Sequence, residues 1–206
     1  MDALLDVDRL LKLHADTVER WHAEPVRNPE SDGAWKIILD NHARNFELWH
    51  EEDRARDKQA TDKIIADVKR SIDRLNQQRN DAVERLDEWI VAQLESGGVR
   101  PPAGTPLNTE TAGNIVDRLS ILSLKVFHMR EETQRKDVDA AHIQKCAGRL
   151  AILESQRADL AVSFKTLLND LTQGRKGMKV YRQMKMYNDP ALNPAIYRNP
   201  AGGTDC

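Results

Sequence analysis

Polar side chains that could do acid–base or metal chemistry interrupt an otherwise apolar helical face between residues 35 and 57. Positions that recur every three to four residues on that face combine tryptophan and aliphatic side chains with Asn45 and Glu52. A lone amide or carboxylate on a buried face costs on the order of a few kcal/mol unless it finds a partner. A carboxylate near an imidazole suits proton transfer or a divalent cation. We therefore take His50, Glu52 and Asp53 as candidate catalytic residues.

Two arginines interrupt later apolar stripes in the same way. Arg79 and Arg157 are each the one charged residue in a stripe that is otherwise apolar or small. The planar fork of arginine suits carboxylate or phosphate. With nearby amide, carboxylate and imidazole groups, these arginines give a candidate substrate-binding set: Asn45, Asn76, Arg79, Asn80, Asp117, His128 and Arg157. The alternative is an internal salt-bridge layer, in which the charges neutralise each other and only fix the helix register.

The elements that must position these residues are helices. Apolar residues recur at three- and four-residue intervals in five stretches, and proline, glycine and asparagine clusters separate the stretches. The first ends at about residue 24; the others cover about 34–57, 61–95, 109 to at least 129, and 138–171. The pattern predicts an all-α fold, a bundle of about five long helices.

The composition changes after Gly174. Residues 175–206 contain all three tyrosines, Tyr181, Tyr187 and Tyr197, and more basic than acidic residues. Because disordered tails are poor in aromatic residues and methionine, we expect an ordered tail that packs on the bundle of residues 1–174. The two parts then form one domain. A basic and aromatic segment can also bind RNA, but docking on the bundle is the favoured interpretation.

Charge, cysteine content and missing motifs exclude several classes of protein. The formal net charge of -2 disfavours nucleic-acid binding. Two cysteines, Cys146 and Cys206, disfavour a disulfide scaffold and fit a reducing compartment. No stretch approaches the roughly 20 apolar residues of a membrane span, and the N-terminus lacks signal-peptide features, so we expect a cytoplasmic protein. The chain has no Gly-x-Ser-x-Gly elbow, no glycine-rich phosphate loop and no C-x-x-C motif.

Two metal-binding patterns are present only in part. Glu47 and His50 have the E-x-x-H spacing of di-iron bundles, which need a second such motif and two further glutamates, so we assign no metal ligands. All-α nucleoside triphosphate pyrophosphohydrolases bind magnesium through E-E-x-x-E and a following E-x-x-D. This chain is similar at Glu51–Glu52 and Glu84–Asp87, but position 55 is alanine where the third glutamate belongs. A magnesium cofactor is kept as part of this minor alternative.

Four separated segments carry a resemblance to a known family. They are Leu48–Asp53, Ile72–Asp81, Glu110–Leu122 and Lys185–Pro194. Over about residues 41–197, the chain resembles the bacterial domain of unknown function 4254 family, and it departs at Ala112, where the family often has proline. Members are often encoded near cell-envelope glycosyltransferases, so the resemblance implies a sugar-phosphate or nucleotide-sugar context. It implies no catalytic residues.

Two hypotheses about function follow. In the first, the protein binds or acts on an anionic small molecule, with Arg79 and Arg157 holding the anion and His50, Glu52 or Asp53 acting as base or metal ligand. In the second, it is a non-enzymatic helical interaction protein, for instance a homodimer, whose inner charges only fix the helix register.

Overall fold

Five α-helices build the protein, in the order that the apolar periodicity predicts. The computed structural model describes residues 4–184, 186 and 189–194. The helices are α1 Val7–Ala23, α2 Gly33–Ala55, α3 Asp62–Ser96, α4 Ala112–Gln134 and α5 Ala140–Thr172. No strand occurs in the part of the chain described, which contains only an isolated bridge between Leu107 and Gly177. The prediction of an all-α bundle is confirmed.

Short polar residues set the helix starts. Asp6 caps α1 by accepting from the backbone N–H groups of Asp8 and Arg9, at 2.9 and 3.0 Å. Thr61 and Asp139 cap α3 and α5 in the same way, so the free N–H groups of each first turn find an acceptor. At about 1.5 Å per residue, the 35 residues of α3 span about 52 Å.

The start of α4 explains the alanine that departs from the family pattern. Thr111 is the N-cap, and its hydroxyl accepts from Asn114 N–H at 3.3 Å. Ala112 is therefore the first helical residue, a position that proline also favours because its N–H has no partner within the helix. Here the N–H of Ala112 instead meets Met178 Sδ at 3.4 Å. Alanine and proline are thus both compatible with this helix start.

Two hydrophobic clusters stack along the bundle axis. The larger cluster includes Leu10, Ile38, Leu119 and Phe164, and a smaller one includes Val18, Trp21, Ala43, Phe46 and Leu124. Where the two clusters meet, α1, α2 and α4 contribute buried polar residues: His14, Asn41, His42, Asn45 and Ser120. The bundle thus has a polar layer between two apolar regions, and this layer underlies the candidate site.

The first part of the tail contacts the bundle. Gly177 exchanges backbone hydrogen bonds with Pro106 and Asn108, at 2.9 and 2.8 Å. Arg182 pairs with Glu84 at 3.0 Å and also with Glu88. Met178 packs against the larger hydrophobic cluster, whereas Tyr181, Met184 and Met186 are 44%, 76% and 57% exposed. Backbone, ionic and Met178 contacts thus join the described start of this segment to the bundle, and packing of the whole tail stays a prediction. Tyr187 and Tyr197 lie outside the described residues.

No helix among the described residues is both long enough and apolar enough to cross a membrane.

Candidate functional site

Two asparagines of α2 hold one carboxylate of α4 in the polar layer. Asn45 Nδ2 donates to Asp117 Oδ1 at 2.9 Å, and Asn41 Nδ2 donates to the same oxygen at 3.0 Å. Both asparagines are buried. A buried carboxylate needs donors of this kind, because its desolvation is otherwise uncompensated. Asp117 is therefore fixed in place without a close salt bridge.

The polar layer continues from Asn45 into the protein interior. Asn45 Nδ2 also lies 3.0 Å from Ser120 Oγ, which lies 2.6 Å from His42 Nδ1. His42 Nε2 faces the backbone carbonyl of His14 at 3.1 Å. Since a carbonyl can only accept, His42 carries its proton on Nε2, and the Ser120 hydroxyl donates to Nδ1. The three hydrogen bonds are then compatible: Asn45 donates to Ser120, Ser120 donates to His42, and His42 donates to the His14 carbonyl.

Burial keeps both inner histidines neutral. It lowers the pKa of His42 to about 3. Burial also holds the pKa of His14 well below its usual value, and electrostatic interactions with the neighbouring His42 ring and with Arg157 lower it further. The two rings stack with their centroids 4.3 Å apart. A neutral, fully buried pair has no route to a bound ligand, so we assign His14 and His42 a structural role.

A cleft opens over this layer, between α2, α3 and α4. We call it the arginine cleft; its volume is about 380 Å³. Its lining consists of Asn45, Leu48, Trp49, Glu52, Asp53, Arg56, Asn76, Arg79, Ile121 and Leu124. Polar groups from α2 and α3 thus face apolar side chains from α2 and α4. A mainly apolar wall with a few convergent polar groups is typical of small-molecule sites.

Arg79 is the distinctive cation of this cleft. Its Nε is buried and lies 3.8 Å from Asp117 Oδ1, which is within ion-pair range but too long for a hydrogen bond. Within the described residues, no group accepts a hydrogen bond from its terminal nitrogens. The charge of Asp117 therefore attracts the Nε side of the guanidinium, and the N–H groups of its two terminal nitrogens remain available to a ligand.

The carboxylates of the cleft differ in their partners. Glu52 accepts from Arg56 at 2.8 Å, so these two charges largely neutralise each other. Asp53 has no side-chain donor among the described residues. Asp53 is therefore the carboxylate of this cleft that is free to accept a hydrogen bond from a ligand hydroxyl or to bind a cation.

A second cleft, of about 640 Å³, adjoins the first and also borders on α5. We call it the histidine cleft; its lining is Trp49, Asp53, Lys125, His128, Met129, Glu131, Glu132, Arg149, Ile152, Leu153 and Gln156. Trp49 and Asp53 line both clefts. The His128 ring stacks on Trp49 at 4.6 Å, and its Nδ1 lies 2.9 Å from Glu131 Oε2. These contacts leave His128 Nε2 without a partner in the described chain.

Three histidines from three helices gather beside this cleft. The ring centroid of His22 lies 5.2 Å from that of His50 and 5.0 Å from that of His128. Burial is the main cause that lowers the pKa of His50 and His128, and their neighbouring imidazoles add to it. Their ring nitrogens are nevertheless not gathered within 4.8 Å of one another. Sequence reasoning missed His22 and was wrong to treat the E-x-x-H motif of Glu47 and His50 as the only one, because Glu19 and His22 form a second.

The structure brings five of the sequence candidates into one cleft: Asn45, Glu52, Asp53, Asn76 and Arg79. Asp117 lies beneath this cleft, where it accepts a hydrogen bond from Asn45 and attracts Arg79. His128 lines the neighbouring histidine cleft. His50, Asn80 and Arg157 line neither cleft. The structure therefore does not bring Arg157 into the cleft that Arg79 lines. Sequence reasoning also missed Asn41, Ser120 and Arg56.

The two halves of the pyrophosphohydrolase pattern lie far apart. Asp40 and Arg44 of α2 contact Arg85 and Gln78 of α3, and this antiparallel register places Glu52 opposite about residue 71. Roughly 20 Å of helix therefore separates Glu52 from Glu84. Glu84 pairs with Arg182, and Asp87 accepts from Gly113 N–H at 2.7 Å. The two halves do not form one magnesium site.

A family model described as "Protein of unknown function (DUF4254)" matches residues 35–180. The chain belongs to this family. No curated protein and no solved structure matches it. The DUF4254 match covers the whole lining of both clefts, together with Asn41, Asp117 and Ser120. Helix α1, which contributes His14 and His22, precedes the matched region.

Proposed function

We propose that this DUF4254 protein binds a small anionic molecule, a monosaccharide phosphate, in the arginine cleft. The observation that carries the proposal is the available guanidinium fork of Arg79. Its Nε is buried beside Asp117, and no described residue accepts from its other nitrogens. An arginine fork presents parallel donors that match a phosphate or carboxylate edge.

The polar layer beneath the cleft supports this role. Asp117 attracts Arg79 from 3.8 Å, while Asn41 and Asn45 satisfy the carboxylate through hydrogen bonds. The carboxylate therefore orients the guanidinium without occupying its fork. Positioning of this kind lowers the cost of ordering a side chain when a ligand binds.

The remaining lining suits a sugar. Asn76 can both donate to and accept from hydroxyl groups, and Asp53 can accept from them. Leu48 and Trp49 supply an apolar wall against which the carbon face of a ring can pack. A volume of about 380 Å³ is near the lower end for small-molecule sites. This size favours a monosaccharide phosphate over a nucleotide sugar.

Among the three candidate catalytic residues, the arrangement favours Asp53. His50 does not line the cleft, and Glu52 is paired with Arg56. Asp53 lines both clefts without a donor of its own among the described residues, so it is the group best placed to accept a proton from the bound sugar.

The test measures thermal stability and calorimetric binding with glucose 1-phosphate, inorganic phosphate and uncharged glucose. A ligand that binds only the folded state raises stability by RT ln(1 + [L]/Kd). We expect the sugar phosphate to bind, and Arg79→Met to abolish the binding.

The matched control is Arg74→Met, because Arg74 is an exposed arginine on the same helix whose Nη2 donates to Ser71 at 3.2 Å. Equal responses to all three compounds, or binding that survives Arg79→Met, would defeat the proposal and favour the non-enzymatic interaction protein.

A further inference from the structure

Three side chains near the turn between α4 and α5 point their donor atoms at one another. His142 Nε2 lies 2.9 Å from Glu132 Oε2 and 3.4 Å from Cys146 Sγ. All three donor atoms lie within 4.8 Å of one another, which no other group of three His, Cys, Asp or Glu side chains achieves in the described chain. The cluster lies outside the arginine cleft.

The local fold explains the convergence. Asp139 caps α5 by accepting from His142 N–H at 2.8 Å, which fixes His142 in the first helical turn. Cys146 follows four residues later, so both side chains lie on one helix face. Glu132 comes from the last turn of α4. Cys146 is 3% exposed, whereas His142 and Glu132 are partly exposed, so the cluster has a closed side and an open side.

A catalytic thiol relay does not explain this arrangement. In such a relay the thiol contacts one imidazole nitrogen, and the carboxylate orients the ring through the other. Here the thiol and the carboxylate both face His142 Nε2. Donor atoms that converge on one point are instead the arrangement that a metal ion requires.

We propose that Glu132, His142 and Cys146 form a binding site for a divalent transition-metal ion, with zinc as the preferred metal. Thiolate, imidazole and carboxylate are its usual ligands, at about 2.3, 2.0 and 2.1 Å. A tetrahedral ion would hold these atoms about 3.3 to 3.6 Å apart. The observed 2.9 and 3.4 Å separations need to open by only a few tenths of an ångström.

The neighbouring charges are compatible with a dication. Arg135 donates to Glu132 Oε2 at 3.0 Å, and this positive charge alone would oppose a metal. Asp137 accepts from the same guanidinium at 3.1 and 2.7 Å and neutralises it. The Cys146 thiolate and the Glu132 carboxylate then balance the two charges of the ion.

Metal binding has a defined proton balance. The thiol of Cys146 gives its proton to the solvent, and the sulfur binds as thiolate. His142 binds through the Nε2 lone pair and keeps its proton on Nδ1. Three protein ligands leave a fourth position for water, as in zinc sites that perform chemistry. Glu132 also lines the histidine cleft, so the ion would lie at the edge of that cleft.

The test adds Co²⁺, and separately Zn²⁺, to full-length protein freed of metal by chelator. We expect one ion per chain and a thiolate-to-cobalt charge-transfer band. Cys146→Ser should abolish the band, and His142→Ala should weaken zinc binding by at least about tenfold, the smallest loss typical even of outer-shell changes. Cys206→Ser is the matched control and should leave both signals unchanged.

His142→Ala protects the test against a folding defect, because this partly exposed side chain can be removed without opening the core. Its circular dichroism should match that of the wild type. Absence of the band at stoichiometric cobalt, or a band that persists in Cys146→Ser, would overturn the proposal. So would zinc affinity that is unchanged in His142→Ala.

Discussion

The Asn45 amide joins Asp117, beneath the arginine cleft, to the buried histidines. Its Nδ2 lies 2.9 Å from Asp117 Oδ1, 3.0 Å from Ser120 Oγ and 3.3 Å from Asn41 Oδ1. Two N–H groups thus serve three acceptors. Because Asp117 in turn attracts Arg79, the position of the proposed anion-binding fork depends on a side chain that lies mostly beneath the cleft.

Replacement of Asn45 with alanine should therefore weaken both the fold and the site. The change removes a donor from Asp117 and from Ser120, and a buried polar group that loses its partner costs about 1–3 kcal/mol. We expect a lower melting temperature and weaker binding of glucose 1-phosphate. The matched control is Asn80→Ala on α3, since Asn80 is half-buried and has no side-chain partner among the described residues. Equal melting temperatures for the two variants would show that the polar layer carries little stability.

Gly113 allows α4 to approach α3 closely. A Cβ at this position would lie 2.5 Å from the Val83 carbonyl oxygen and 2.9 Å from Asp87 Oδ1. Since backbone must move to relieve such a contact, Gly113→Ala should destabilise the protein by about 1–3 kcal/mol, the cost typical of overpacking. Denaturant unfolding measures this change.

Gly148→Ala is the matched control for this helix glycine. A Cβ at Gly148 meets nothing within 4 Å, and alanine favours a helix over glycine by about 1 kcal/mol. This variant should be as stable as the wild type or more stable. If Gly113→Ala behaved in the same way, the close α3–α4 approach would not be a requirement of the fold.

Periodicity predicted the helices, and five of the ten residues that line the arginine cleft were already candidates from the sequence. At about 100° per residue, Glu52 lies within about 20° of Asn45 on α2, and both line the cleft. The same rule places His50 about 140° away, so its absence from the cleft could have been predicted. Asn41, about 40° from Asn45, could have been found in the same way.

Contacts between helices could not be derived from periodicity. The approach of Arg79 to Asp117 and the convergence of Glu132 with His142 depend on how each pair of helices crosses. Arg157 occupies an interior position in its stripe, but the crossing of α5 directs it away from the cleft. The spacing of Glu19 and His22 was visible in the sequence, but their relation to α2 was not.

The stability of the protein should depend on Asp87 at mildly acidic pH. Burial raises the pKa of this carboxyl to about 6, although hydrogen bonds from Thr111 and Gly113 oppose the shift. The folded state therefore binds the Asp87 proton more tightly than the unfolded state does, so protonation of Asp87 stabilises the fold. This stabilisation is complete below pH 4. It is lost as the pH rises to about 6.

Asp87→Asn tests this dependence, because asparagine is nearly isosteric and can still accept from Gly113 N–H. We expect the stability of the wild type relative to the variant to fall by on the order of 2–3 kcal/mol between pH 4 and 7. His14 and His42, with lowered pKa values, act in the opposite direction. They are present in both proteins, so their effect cancels in the difference between the two. Parallel stability curves would show that Asp87 ionises normally in the folded state.

Arg157 should contribute little to stability or even reduce it. It is half-buried, and no carboxylate among the described residues lies within ion-pair distance. Burial lowers its pKa, as does the charge on Arg130, whereas Glu154 has the opposite effect. An uncompensated charge of this kind opposes folding.

Arg157→Met keeps the apolar length of the side chain and removes the charge, so the melting temperature should be unchanged or higher. Sugar-phosphate binding should persist, because Arg157 does not line the arginine cleft. Arg130→Met removes an exposed pair with Glu154 at 2.8 Å and should cost at most about 1 kcal/mol. A drop for Arg157→Met larger than that of this control would mean that Arg157 stabilises the fold, contrary to the prediction.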